Sequence, residues 1–156
     1  MDLSVLRIKM KETLYQNCES YLKEKTDRIS HSIQDLEVAL INDSKSSAGD
    51  KFETGREMIN IEINKLSTQL QQFKQLEVTL EVAKRNAISK TIKLGSLVEA
   101  TNATYFICIP IGEVIIGDKK VYVIGAGSPI AQALIGRAVG EEFSFNTISG
   151  TIVSIS

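Results

Sequence analysis

The sequence predicts an α+β protein in which a long antiparallel helical hairpin precedes a small mixed domain. Three observations predict it. Two amphipathic stretches free of proline fill the first half. From residue 92 the pattern changes to short apolar runs separated by turn residues. Charge thins at the same place, from 14 basic and 14 acidic side chains in residues 1–90 to 4 and 5 in residues 91–156. The run Ser89-Lys-Thr-Ile-Lys-Leu-Gly95-Ser96 marks the boundary, giving a helical domain at 1–90 and a second domain at 91–156.

In the first stretch Tyr15, Cys18, Leu22, Ile29, Ile33, Leu36 and Leu40 recur at steps of three, four and seven, with Lys25 interrupting. In the second, Phe52, Ile59, Ile63, Leu66, Leu70, Phe73, Leu80 and Ala87 do the same, with Glu77 interrupting. Such stripes are the seam of a coiled coil. Residues 42–50 between them are turn chemistry, Asn42-Asp-Ser-Lys-Ser-Ser-Ala-Gly49-Asp50. A connection that short makes the helices antiparallel neighbours, Leu40 beside Phe52 and Ile33 beside Ile59. Roughly 35 residues at a rise of about 1.5 Å make an arm of about 50 Å. An intermolecular coiled coil satisfies the same stripes.

The arm holds carboxylates at its tip: Asp43, Asp50 and Glu53. Asp50-x-x-Glu53 reads first as a helix start, close to a capping box, with both charges at the positive end of the helix dipole. The same spacing can serve chemistry, because carboxylates on a projecting arm can help hold Mg²⁺ in another molecule's site.

In the second half Leu94–Ala100, Tyr105–Ile109, Glu113–Ile116 and Lys120–Ile124 read as strands, with a turn at Gly117-Asp118-Lys119. Ser128 caps a short helix, Pro129 takes its first position and Gly136 stops it. Glu141–Asn146 and Thr151–Ile155 close the chain as a hairpin around Ser149-Gly150. Val121-Tyr-Val-Ile-Gly125-Ala-Gly127 imitates a dinucleotide fingerprint. Its third glycine position is Ile130, where close backbone approach needs a small residue, so nucleotide binding is rejected.

Composition excludes other classes. A net charge of −1 lacks the basic surplus of a protein held by nucleic-acid phosphates. Cys18 and Cys108 have no metal spacing and read as reduced packing residues of a cytoplasmic protein. The single histidine, His31, supports neither a zinc site nor a triad. Tyr105 to Ile116 is too short to span a bilayer, and no membrane partner is expected.

Ser128-Pro-Ile-Ala-Gln-Ala-Leu-Ile-Gly-Arg-Ala-Val-Gly140-Glu resembles the S-P-I-A-x-A-L-[IL]-G-K-x-x-G-D segment of the GreA/GreB transcript-cleavage factors of bacterial RNA polymerase. Leu94-Gly-Ser-Leu-Val98 resembles that family's F-G-S-x-V, Ser149-Gly-Thr-Ile-Val its closing hairpin, and Gly49-Asp50-Lys-Phe-Glu53 its G-D-x-x-E. The resemblance covers nearly the whole chain. It implies an FKBP-like second domain that docks on the rim of the polymerase secondary channel through Ser128, Pro129 and Ile130. It also implies a coiled coil that enters the channel. Asp50 and Glu53 would then assist the polymerase's Mg²⁺ at the RNA 3′ end of a backtracked complex, as catalytic and metal-assisting acids, with no cofactor in the isolated protein. The chain would be a monomeric activator of the polymerase's nuclease and not itself an enzyme. The family continues its tip with N-A-x-Y, whereas Thr54-Gly55-Arg56-Glu57 follow here. A secondary-channel inhibitor is therefore the first alternative and a coiled-coil adaptor the second. A prolyl isomerase, suggested by fold analogy alone, lacks a tryptophan to floor a proline pocket.

Overall fold

The computed structural model describes residues 2–44 and 49–156, with side chains described outside 43–53. Its elements are α1 (Leu3–Ser44), α2 (Gly49–Arg85), β1 (Leu97–Ala100), β2 (Thr104–Cys108), β3 (Gly112–Ile116), β4 (Lys119–Gly125), α3 (Pro129–Leu134), β5 (Glu142–Phe145) and β6 (Ile148–Ile155). The α+β class holds. Two compact units share these elements: Met1–Tyr21 with Val78–Ser156, and Leu22–Glu77.

The second unit is the helical pair. Ile29 is buried, and Ile33, Leu36, Leu40, Ile59, Ile63, Leu66, Leu70 and Phe73 are half-buried, so these seam positions fall on the covered stripes. Charged positions between them face water, where Lys23–Asp27 and Arg28–Glu24 form i,i+4 pairs. Exposed pairs of this kind are screened by solvent and contribute little. The sequence reading ends α1 too early: Asn42, Asp43 and Ser44 are still helical. Their low helix propensity is a few tenths of a kcal/mol per residue, roughly, and does not stop a helix that already propagates from a packed stem. The expected neighbours Leu40 and Phe52 cannot be compared, since Phe52's side chain lies outside the described residues.

The first unit is built on a six-stranded sheet in the order β3-β4-β2-β1-β6-β5. β4 runs parallel to β2, with Tyr105 opposite Tyr122 and Ile107 opposite Ile124, while the other pairings are antiparallel. β2 is central and buried at all five positions, Thr104-Tyr-Phe-Ile-Cys108. A strand covered on both faces needs no polar alternation, which is why it reads as a continuous run.

Strand geometry sends alternate side chains to opposite faces. On one face Val98, Tyr105, Ile107 and Ile152 join Ile92, Ala131, Leu134 and Phe143 in a core closed by α3 and β5. On the other face Phe106 meets the Tyr15 ring of α1 edge-on, with centroids 5.2 Å apart. Leu14, Cys18, Ala83, Leu97, Val121 and Val123 are buried as well. The helix ends are tied in by the Tyr15 hydroxyl, which donates to the Ala83 carbonyl at 3.1 Å, and by the Lys84–Glu19 ion pair. The stripe reading placed Ala87 in the seam. Instead α2 ends at Arg85, Ala87 is exposed, and Ala83 fills the role at full burial.

Two turns differ from expectation. Leu94-Gly95-Ser96 is a turn and not the start of a strand. Gly95 has φ +95°, and a Cβ there would lie 2.6 Å from the Ala83 carbonyl oxygen. The closing hairpin turns at Asn146-Thr147, with Asn146 at φ 52° between the paired Phe145 and Ile148. Asn tolerates that left-handed conformation. Ser149 and Gly150 lie inside β6 opposite Ser144 and Phe143, and Gly150 lies close to neighbouring side chains. Its Cβ would sit 2.6 Å from Asn102 Oδ1 and 3.1 Å from Phe143 Cε1.

Candidate functional site

The sequence singles out two places, the start of α2 and the start of α3. At the first, the backbone sets Asp50 and Glu53 within the opening turn of α2, three residues apart and near its N-terminal end. Residues at that spacing share a helix face, and the dipole favours carboxylates there. Asp43 belongs to the last turn of α1. The side chains of Asp43, Asp50 and Glu53 lie outside the described residues. Among the described residues no group of three or more His, Cys, Asp or Glu side chains is placed to hold a metal ion.

At the second place each residue has a distinct position. Ser128 is the cap of α3, with φ −69° and ψ 151°. Its hydroxyl oxygen accepts from the Ala131 N–H at 3.3 Å while the hydroxyl donates to the Gly125 carbonyl at 2.9 Å. Pro129 follows at the first helical position, where its missing N–H costs nothing, and it is exposed. Ile130 is half-buried and lines an apolar cleft of about 370 Å³ together with Asn102, Ala103, Tyr105, Tyr122, Ile124 and Ile148. Ser128, Pro129 and Ile130 are thus one capped turn, with Ser128 fixing the direction in which the other two are presented.

The cleft draws on β2, β4, α3, β6 and the turn between β1 and β2. Tyr105 forms its inner wall. Its ring lies 5.9 Å from that of Tyr122 and meets Phe143 edge-on at 6.1 Å. The Asn102 amide donates to its hydroxyl at 2.8 Å, and burial holds the phenol above the ordinary tyrosine range. Sequence reasoning found Ile130 and missed the other six. No local signal marks them, because they converge only when β4 pairs beside β2. A second, polar depression of about 430 Å³ lies along β5 and β6, lined by Arg137, Ser144, Ser149 and Thr151 among others. Arg137 is already committed there, donating to the Ala133 carbonyl and pairing with Glu141.

Glu99 on β1 gathers the charges on the helix-covered face. It accepts from Lys119 Nζ at 2.9 Å and from the Ser154 hydroxyl at 3.2 Å, with the Arg7 guanidinium 3.8 Å away. The Lys119 hydrogen bond, chiefly, holds its carboxyl below the usual glutamate range. No described helix is long and apolar enough to cross a membrane.

Comparison with known proteins adds the following. Residues 83–156 match the family described as transcription elongation factor GreA/GreB, C-terminal. Among solved structures the chain is similar to Gfh1 of Thermus aquaticus, at 22% identity over 90% of this chain and 92% of that one, with a TM-score of 0.35. No curated protein matches.

Proposed function

Because this chain is GreA/GreB-like through residues 83–156, we propose that it is a bacterial transcription elongation factor that stimulates RNA polymerase to cleave backtracked RNA. One observation carries the reading. A C-terminal domain of that family is joined to a pair of long helices, and Asp50 and Glu53 open the second helix one turn apart.

In this mechanism the capped turn Ser128-Pro129-Ile130 docks on the rim of the secondary channel. The hairpin enters the channel, and its tip reaches the RNA 3′ end. Asp50 and Glu53 supply hard oxygen donors, the kind that suits Mg²⁺. The ion belongs to the polymerase and supplies Lewis acidity to phosphoryl displacement. This chain's own contribution is positional: it carries two carboxylates near a helix N-terminus, where the dipole favours negative charge, to the ion. The nuclease is the polymerase's, and the chain acts on it as a monomer in the cytoplasm.

The test is a stalled, backtracked elongation complex with Mg²⁺. Addition of the chain shortens the RNA from its 3′ end, and the Asp50→Asn, Glu53→Gln double variant binds polymerase equally but does not shorten RNA. Cleavage retained in the double variant overturns the role of the tip acids. A second reading rests on Thr54-Gly55-Arg56-Glu57, which stand where the resembling family has N-A-x-Y. An inhibitor that fills the channel would bind polymerase, leave backtracked RNA intact and slow nucleotide addition in the same assay.

A further inference from the structure

The segment that joins α2 to β1 carries an uneven charge. Residues 84–93, Lys84-Arg-Asn-Ala-Ile-Ser-Lys-Thr-Ile-Lys93, hold four basic side chains and no acidic one, in a chain whose net charge is −1. The dipole of α2 accounts for Lys84 and Arg85, which stand in its last turn. It does not account for Lys90 or Lys93, which lie beyond the helix. Lys84 is taken up by Glu19 and Glu81, whereas Arg85, Lys90 and Lys93 form no ion pair among the described residues. The same segment exposes apolar surface. Ile88 is 68% exposed, and Val139, in the loop after α3, is 58% exposed. With Ser89, Lys90, Ala138 and Ile155 they line an open cleft of about 500 Å³, which shares no lining residue with the cleft beside Ile130. Hydrogen bonds tie its walls together. Thr91 bridges Ala138, the Ile92 N–H donates to the Arg137 carbonyl at 2.9 Å, and the Gly136 N–H donates to the Ile92 carbonyl at 2.8 Å. The Asn86 amide donates to the Leu94 carbonyl at 2.8 Å and fastens the start of the segment to its end. An aliphatic centre beside unpaired cations, on a preformed ledge, has the anatomy of an interface.

We propose that this cleft is a docking site for an acidic protein segment, which sets a leucine-sized side chain between Ile88 and Val139 and brings carboxylates to Lys90 and Arg85. Charge complementarity selects this occupant. A nucleic acid would use the cations but not the aliphatic walls, and no aromatic ring is among the lining residues to stack a base. A neutral apolar peptide would use the walls and leave the cations without anions. An acidic segment that carries an aliphatic side chain uses both. The charges steer the encounter and make it sensitive to salt, while the aliphatic contact, from which water is excluded, sets the specificity.

The experiment titrates the isotope-labelled full chain with an acetylated Glu-Glu-Glu-Leu-Leu-Glu-Glu-Glu peptide and follows amide and methyl resonances by NMR at low salt. Signals of Ile88, Val139 and Ile155 should move saturably, and those of Tyr122 and Ile130 should stay in place. Raising the salt from about 0.05 M to about 0.5 M should weaken binding by about tenfold. The double variant Ile88→Ser, Val139→Ser and, separately, Arg85→Gln, Lys90→Gln should each weaken it by about tenfold as well. All four side chains are exposed, so both variants should keep the near-UV circular dichroism of the parent chain. Four results each overturn the proposal. They are no movement at these residues, equal binding of a peptide with alanine in place of leucine, and larger shifts of the same signals with a single-stranded oligonucleotide. The fourth is a dimer, seen by sedimentation without peptide, that the Ile88→Ser, Val139→Ser variant abolishes, because a second copy would then be the occupant.

Discussion

Replacing Gly95 by alanine should destabilise the first unit far more than the same change at Gly136, although both glycines have left-handed backbones, φ +95° and +88°. An L-residue in that region costs about 1–2 kcal/mol, a penalty common to both sites. At Gly136 a Cβ meets nothing within 4 Å, so that penalty is the whole effect. At Gly95 the Cβ lies 2.6 Å from the Ala83 carbonyl oxygen, which is backbone near the end of α2 and cannot swing aside. The same oxygen accepts the Tyr15 hydroxyl. Displacing it endangers a hydrogen bond that contributes about 1 kcal/mol, in addition to the repacking of Tyr15 on Phe106. Together these give about 3–4 kcal/mol for Gly95→Ala against about 1–2 for Gly136→Ala. The assay is urea unfolding followed by near-UV circular dichroism. Its signal comes from this unit, because Tyr15, Tyr21, Tyr105 and Tyr122 all belong to it and the chain has no tryptophan. With a urea slope of about 1–3 kcal/mol per M, the two midpoints should separate by about 1 M. Equal midpoints would refute the reasoning, because they would mean that α2 does not press on the turn.

Three further outcomes follow from individual contacts. Burial pushes the Tyr15 phenol up to about 12, so the folded chain keeps a proton that the unfolded chain loses near 10. Stability therefore falls as pH rises from about 10 to 12; an ultraviolet titration should still show tyrosine ionisation near 12, and completion of all tyrosine ionisation near 10 would contradict the burial. For Glu99 the sign is opposite: its folded carboxyl lies below the ordinary glutamate range, so its contribution is complete above that range and is lost as pH falls through the folded value. Because the cluster is partly solvated, Glu99→Gln should cost no more than about 1 kcal/mol at neutral pH and should flatten the acid limb of the stability profile. Ser128→Ala removes the cap of α3 and should cost about 1 kcal/mol; a binding defect at polymerase larger than that loss would indicate direct contact by the hydroxyl.

Local chemistry accounts for much of what the sequence determined by itself. Helices α1 and α2 follow from the stripes from Ile29 to Leu40 and from Ile59 to Phe73, since burying one face requires that period. α3 follows from Ser128, Pro129 and Gly136, whose roles depend on dihedrals and one hydrogen bond within a few residues. The tip acids and the capped turn could be named for the same reason. The remainder depends on residues far apart in sequence. Nothing in Gly150 says that it lies inside β6 making room for Asn102 and Phe143, and nothing in Ala83 says that it displaces Ala87 from the core. The apolar cleft exists because β4 inserts parallel to β2, which places Tyr122 and Ile124 beside Tyr105 and Ile107. Tertiary structure also decided that both faces of β2 are covered. Strand order and face coverage are settled by which pairing buries the most apolar surface at once, a property of the whole chain that no single segment carries.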